Sequence, residues 1–418
     1  MTEPTEPTEP TEPTEPGPTP IPDYGLFDAD NHYYEPRDCF TRYLEPEFRD
    51  RAIVAVTDAD GRERVMIGST PFTFLEAPFR DEWARPGSLR EMLRAMASGT
   101  FTESDAVEPV HPAYVNRDAR LTLMDAQGVE AALLFPTLAV CVEHFMKDDP
   151  DQLYANFHAF NRWLDDDWGF AHQDRIFAAP LCSLRDVDRA VAELEWVLDR
   201  GARCISLRPG PAFGRSPADP HFDPFWARVD EAGVLVAFHI GESGYNEMMS
   251  PFWGEETNPS SHKQSAFQWC NFYGDRPIMD TFSALVLHNL FGRFPGVRCL
   301  SVENGSLYVP YLCKQMNKMN GMGRNGPWLG GRITEKPSEI FRRHVWVSPF
   351  HEEDIPALAG VIGADRVLFG SDFPHAEGLA EPRDFVESLP GLSDGDVRRI
   401  MRDNLRDLLG GVRVPAGT

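Results

Sequence analysis

Short, uniformly apolar runs alternate along this chain with stretches whose apolar residues recur every three or four positions. The apolar runs predict strands over Leu26–Asp30, Val129–Phe135, Ile176–Leu181, Cys204–Leu207, Val234–Ile240, Val297–Val302, His344–Val347 and Arg366–Phe369. The periodic stretches predict helices over Asn116–Gln127, Asp186–Leu198, Phe225–Ala232, Ile278–Phe294, Gly305–Asn320, Glu352–Ile362 and Asp394–Leu409. In the second of these, Val187, Ala190, Val191, Leu194, Val197 and Leu198 fall on one helical face. Gly128, Gly233 and Gly410 stand where helices should stop. Strands that are apolar throughout, rather than alternating, are buried on both faces, and their alternation with helices predicts a parallel sheet. Eight of them predict an α/β fold of the (β/α)8 TIM-barrel type. A doubly wound open sheet competes, but no Gly-x-Gly-x-x-Gly follows the first strand.

Two long inserts distort the pattern, one over residues 37–113 after the first strand and one over 243–277 after the fifth. In a barrel such inserts lie over the face that carries the chemistry. The second contains Trp253, Phe267, Trp269 and Phe272, which wall a substrate pocket, pack the loop down or make a subunit contact. Ahead of the first strand, Thr2 to Pro16 is five Thr-Glu-Pro triplets. Proline at every third position removes amide donors and glutamate adds repulsion, so residues 1–20 are expected to be a disordered tail. Residues 21–418 are expected to form a single barrel domain.

Composition narrows the function. The chain has 418 residues, 42% hydrophobic and 25% charged, which suits a large globular core. Its 40 Lys and Arg against 65 Asp and Glu leave a net charge of −25, which repels nucleic acid and anionic membranes. The seven cysteines are odd in number, widely spaced and without a Cys-x-x-Cys, as expected of a reducing compartment. With no apolar run long enough to span a membrane and an acidic, proline-rich N-terminus, the expectation is a cytoplasmic protein that binds neither membrane nor nucleic acid.

The candidate chemistry sits at strand ends. Asp28, Asp30 and His32 end the first strand, His239 the fifth, Glu303 the sixth, and Asp372 with His375 follows the eighth. Residues two apart on a strand point the same way, so Asp30 and His32 aim at one place. Carboxylates and imidazoles meeting at the C-terminal end of a barrel suit one divalent Zn, Mn or Fe ion. Such an ion activates water or polarises a substrate oxygen.

At these residues the chain resembles the second amidohydrolase-related family, which contains aminocarboxymuconate-semialdehyde decarboxylase, γ-resorcylate decarboxylase and related hydrolases. The resemblance is carried by Asp28-Ala29-Asp30-Asn31-His32 with Glu35-Pro36, Arg120 to Val129 leading into Phe135-Pro136-Thr137, and Phe238-His239-Ile240-Gly241. It continues through Phe294-Pro295-Gly296-Val297, Glu303-Asn304-Gly305, Tyr308 to Leu312, and Leu368 to His375. It implies a one-metal barrel with Asp30, His32, His239 and Asp372 as ligands, and Asp372 also handles the proton. Glu303 stands where many members carry a histidine. An anionic glutamate cannot donate as an imidazolium does unless burial keeps it protonated, and its alternatives are a general base or a hydrogen-bond partner of a metal ligand.

Three further residues complete the candidate set. His288 is expected either to reach the pocket as a catalytic group or to be hydrogen-bonded in the barrel wall. Arg208, ending the fourth strand, either grips a substrate carboxylate or pairs with a neighbouring acid. His375 is a candidate substrate-binding residue. The resulting expectation is a metal-dependent enzyme acting on a small aromatic or unsaturated organic acid by non-oxidative decarboxylation. Hydrolysis of an amide, lactone or ester is the first alternative, and a non-catalytic binding barrel the second. A homodimer is expected from the resemblance.

Overall fold

The apolar runs become the staves of a closed parallel barrel. The computed structural model describes residues 22–59, 61–76, 78–102 and 106–411, so the Thr-Glu-Pro tail lies outside the described residues. The staves are β1 (Leu26–Tyr33), β2 (Val129–Pro136), β3 (Ile176–Ala178), β4 (Cys204–Ser206), β5 (Leu235–His239), β6 (Arg298–Val302) and β7 (Val345–Val347). An eighth stave at 367–371 is held by single bridges, with the Leu368 amide on the Val347 carbonyl at 2.9 Å and Ala29 on Phe369 at 2.8 Å. β1, β2 and β3 form one ladder and β4 to β7 another. Parallel bridges at Leu181–Ser206, Val347–Val367 and Asn31–Phe373 close the circle. The barrel is distorted in this sense: the ladder thins to isolated bridges at three of its seams.

Period-two alternation divides each stave between two cores. Ala131, Leu133, Phe135, Leu235, Ala237, Leu300, Val302 and Leu368 fill the interior, while Ala132, Leu134, Val236 and Cys299 pack outward against the helices. The C-terminal helix Asn404–Gly410 adds Leu405, Leu408 and Leu409 to the interior cluster.

On β1 the alternation slips. Phe27 and Ala29 face the interior, yet it is Asp30 and His32 that reach the polar cluster described below. The pairing of β1 with β2 is irregular between Asp28 and Asn31, and this irregularity re-aims the end of the strand. Asp28 is thereby left fully buried, where it accepts from the Ser371 amide at 2.9 Å, the Ser371 hydroxyl at 2.5 Å and Asn31 Nδ2 at 3.0 Å. It straps the first stave to the last. Gly370 lets them approach, since a Cβ there would collide with Asp30 Cβ and Ser348 Oγ.

Helices follow the predicted order, with differences that include an additional helix, Pro337–His344, ahead of β7. The helix expected over 278–294 is broken into Asp275–Leu287 and Leu290–Arg293 by Asn289, whose φ of 58° ends an α-helix. An 18-residue helix, Pro150–Asp167, lies between β2 and β3, where no helix is expected from the pattern. Asp149 caps it, and Leu153, Phe157, Phe160 and Leu164 form its buried stripe. The last helix carries a π-helical turn at Arg399–Asp403.

The first insert folds into antiparallel strands Ile53–Thr57, Glu63–Ile67 and Thr70–Phe72, a strand pair Glu82–Ala84 with Val107–Pro109, and a helix Leu89–Ser98. The second carries short helices Tyr245–Met249 and Ala266–Phe272. The inserts meet where the Ser261 amide donates to the Phe74 carbonyl at 2.7 Å. Among the described residues no helix is long and apolar enough to cross a membrane.

Arg120 holds the end of β1 from behind. Fully buried, it donates to the Ala113 carbonyl and to the His32 carbonyl, both at 2.7 Å, and to Asn31 Oδ1. Replacing it with methionine keeps most of the volume but strands three buried acceptors. Arg120→Met is expected to lower stability by about 3 kcal/mol. Equilibrium urea unfolding checks this, and an unchanged midpoint would contradict the bracing role.

Candidate metal centre

Asp30, His32, His239 and Glu303 converge at one end of the barrel. His239 Nε2 lies 3.2 Å from His32 Nε2, 3.1 Å from Glu303 Oε2 and 3.6 Å from Asp30 Oδ1. His32 Nε2 is 3.3 Å from Asp30 Oδ1, 3.4 Å from Asp372 Oδ1 and 3.7 Å from Glu303 Oε2. Two overlapping groups of donors result: Asp30, His32, His239 and Glu303 in one, and His32, Glu303, Asp372 and His375 in the other.

Each residue arrives through the backbone that carries it. His239 continues the inward parity of Leu235 and Ala237, so the interior face of β5 changes from apolar to imidazole at its last residue. Its Nδ1–H donates to the Ile240 carbonyl at 2.7 Å, which turns Nε2 into the cluster. Glu303 and Asp372 follow their staves in the left-handed region, with φ of 55° and 53°. That conformation costs a non-glycine residue roughly 1–2 kcal/mol and swings each carboxylate inward at the stave end.

The charges in this cluster are unbalanced. Burial pushes Asp30 up, but the adjacent imidazoles of His239 and His32 outweigh it and carry the carboxyl below its ordinary range. Burial lowers His239, yet Asp30 and Glu303 raise it to about 10. His32 is pushed well down by burial and by neighbouring His375. Burial raises Glu303. Burial, then the charges of Glu303, Glu377 and Asp30, holds Asp372 well above the carboxylate range.

These residues fit a divalent ion. Bonds of about 2.0–2.2 Å to imidazole and carboxylate donors put adjacent ligands about 2.8–3.6 Å apart, close to the separations here. Asp30 Oδ1 and His32 Nδ1 are buried without a hydrogen-bond partner, and Asp30 Oδ1 faces both imidazoles. Mixed nitrogen and oxygen donors suit Zn, Mn or Fe.

The other candidates divide. His375 joins the cluster: its Nδ1 is 2.7 Å from Asp372 Oδ1, its Nε2 is 3.0 Å from Thr137 Oγ1, and its ring lies 4.0 Å from that of His32. Thr137 belongs to a segment singled out in the sequence, but nothing local marks its partner 238 positions away. His288 does not join. The helix ends just before it, and its Nδ1 meets Ser216 Oγ at 2.8 Å, so the expectation of a catalytic group is corrected to a wall contact. Arg208 is also turned away. Its Nη1 donates to the Ser243 carbonyl at 2.6 Å, its Nη2 to Pro211 at 3.0 Å, and its Nε lies 3.3 Å from buried Glu143. Of the two expectations for Arg208, pairing with an acid is the one the geometry follows. Phe267 packs against Trp253 and edge-on against Phe272, and Trp269 edge-on against Tyr273, so these aromatics pack the second insert together.

A cavity of about 470 Å³ opens over the cluster, with Asp30, Glu303 and Asp372 in its lining and Leu307, Pro349 and Phe350 as apolar wall. Among the described residues no lysine or arginine lines it.

A family model described as amidohydrolase matches residues 107–411. Among solved structures, an amidohydrolase of Mycobacterium avium subsp. paratuberculosis K-10 is 41% identical, covering 93% of this chain and 100% of its own, with a TM-score of 0.84. The 2,6-dihydroxybenzoate decarboxylase of Rhizobium is 18% identical over 93% of this chain and 99% of its own, with a TM-score of 0.57. A dihydroxybenzoic acid decarboxylase of Polaromonas, solved with bound manganese and 2-nitroresorcinol, is 15% identical over 93% and 97%, with a TM-score of 0.59. No curated protein matches.

Protein purified without chelator is expected to carry about one divalent ion per chain by elemental analysis, and an Asp30→Ala/His239→Ala variant to carry none. Protons compete for imidazole and carboxylate donors, so occupancy should fall as the pH is lowered. Metal retained in the folded double variant would remove these residues from the ligand set.

Proposed function

This chain belongs to the amidohydrolase family, and from that premise we propose that it is a metal-dependent decarboxylase of a small aromatic or unsaturated organic acid. The observation that carries this reading is the donor cluster on the floor of a cavity with an apolar wall. Decarboxylases of hydroxylated benzoic acids among the structural neighbours support the substrate class.

A divalent ion held by Asp30, His32, His239 and either Glu303 or Asp372 would supply a Lewis acid for a carboxylate and an adjacent oxygen. The residues around it do the rest. Leu307 and Phe350 shed water from one face of a planar acid. Asp372, whose carboxyl burial and neighbouring carboxylates hold well above its ordinary range, is the group that delivers a proton to the ring or chain carbon. The bond from that carbon to the carboxyl group breaks, its electron pair takes the proton, and CO₂ leaves. His375, fixed between Asp372 and Thr137, orients the Asp372 carboxyl for the transfer.

One observation favours hydrolysis instead. Glu303 brings a third carboxylate to the floor, 3.1 Å from His239 Nε2. A carboxylate there suits removal of a proton from attacking water, and the added negative charge weakens attraction for an anionic substrate. Under this reading the substrate is an amide, lactone or ester.

Manganese-, zinc- and iron-loaded protein incubated with hydroxybenzoic and unsaturated acids is expected to release CO₂. Asp372→Asn is expected to lower that rate about a thousandfold with the fold intact by circular dichroism. Hydrolysis of ester or amide probes without CO₂ release would overturn decarboxylation in favour of the second reading.

A further inference from the structure

The cavity over the cluster continues outward into a groove of about 580 Å³, with which it shares His351, Glu352, Glu377 and Gly378. The far wall of this groove is the first-insert helix Leu89–Ser98. That helix is tied to the candidate site by its entry: the Gly87 amide donates to the His375 carbonyl at 3.2 Å, and Leu89 to Ala376 at 2.9 Å. The loop that carries His375 therefore also seats the helix.

The helix is unusual in what it leaves free. None of its residues is buried, and Leu93 is 55% exposed. Arg90 and Arg94, one turn apart, both line the groove. Neither makes a hydrogen bond or ion pair with a described residue, and the nearby acid Glu91 is occupied by Arg85 at 3.2 Å. The inner cavity has no such cation.

Charge thus falls into three zones along one path. At the floor lie the metal-competent donors. In the shared passage lie Glu352 and Glu377, which repel an anion. Beyond them lie two unpartnered guanidiniums flanked by Leu89 and Leu93. A ligand that satisfies all three has an acid at the floor, an uncharged spacer through the passage and an anionic group at the far end. A guanidinium recognises a carboxylate through two parallel hydrogen bonds, and a second one beside it adds charge. We propose that this groove is an outer substrate subsite, in which Arg90 and Arg94 bind a second carboxylate, so that the preferred substrate is an elongated dicarboxylic acid. The inference rests on the reading of the inner cavity as the site of an organic acid, and it names that acid's distal half.

The test is calorimetric titration of manganese-loaded, full-length protein. Benzoate is compared with 4-(ω-carboxyalkyl)benzoates of increasing spacer length. At least one spacer length should bind about tenfold tighter than benzoate. Arg90→Gln/Arg94→Gln, which keeps helix propensity, should abolish that gain and leave benzoate affinity within about twofold. No gain at any length, or a gain that survives the double substitution, would overturn the subsite. Repeating the titration on metal-stripped protein separates the two readings. A manganese-dependent benzoate affinity without an arginine-dependent gain sinks the subsite alone. An arginine-dependent gain without manganese dependence keeps the subsite and sinks the metal-centred function. No binding of any carboxylate sinks both.

Discussion

Negative charge gathered out of water is the constraint on which this molecule turns. Asp30, Glu303 and Asp372 meet the imidazoles of His32, His239 and His375 at the end of an apolar barrel, where each carboxylate costs several kcal/mol to desolvate. Such a cluster needs a rigid frame behind it. The frame is visible in Asp28, which straps the first stave to the last, and in Arg120, which clamps the carbonyl of His32. It is visible again in the two strained stave ends, where Glu303 and Asp372 adopt backbone that other side chains avoid. The structure spends stability where the donors converge.

Much of the barrel is legible in sequence because its signal is local. A stave buried on both faces must be apolar along its length, and eight such runs survive inspection without any tertiary information. Helix ends are equally local, as at Asn116, whose side chain caps the Ala119 amide, and at Gly128 in the left-handed region. The helix Pro150–Asp167 carried its own signal, an aspartate before a proline and a stripe at Leu153, Phe157 and Phe160, but polar residues within the stripe, such as Asn156 and Asn161, obscure it. The insert sheets are another matter. Their strands are short and half-exposed, and pairing rather than composition defines them.

For the site, the division is between position and direction. That polar residues end β1, β5, β6 and the last stave can be read from order alone. Where each side chain points depends on partners far away in sequence. Arg208 is claimed by Glu143, 65 positions earlier, and His288 by Ser216. His375 is drawn in by Thr137, and Glu303 enters the donor group through a left-handed residue that no composition announces. The slip in β1 pairing, which turns Asp30 and His32 inward, is likewise a property of the neighbouring strand.

The strap between Asp28 and Ser371 spans 343 positions. During synthesis at roughly 5–20 residues per second, Asp30 and His32 leave the ribosome tens of seconds before the stave that locks them exists. For that interval the nascent chain carries an open barrel whose first edge has no partner. The frame behind the donors can therefore be closed only after Ser371 has emerged, long after Asp30, His32, His239 and Glu303. A ribosome that stalls before Ser371 yields a chain that carries Asp30, His32, His239 and Glu303 without the strap that closes the barrel around them.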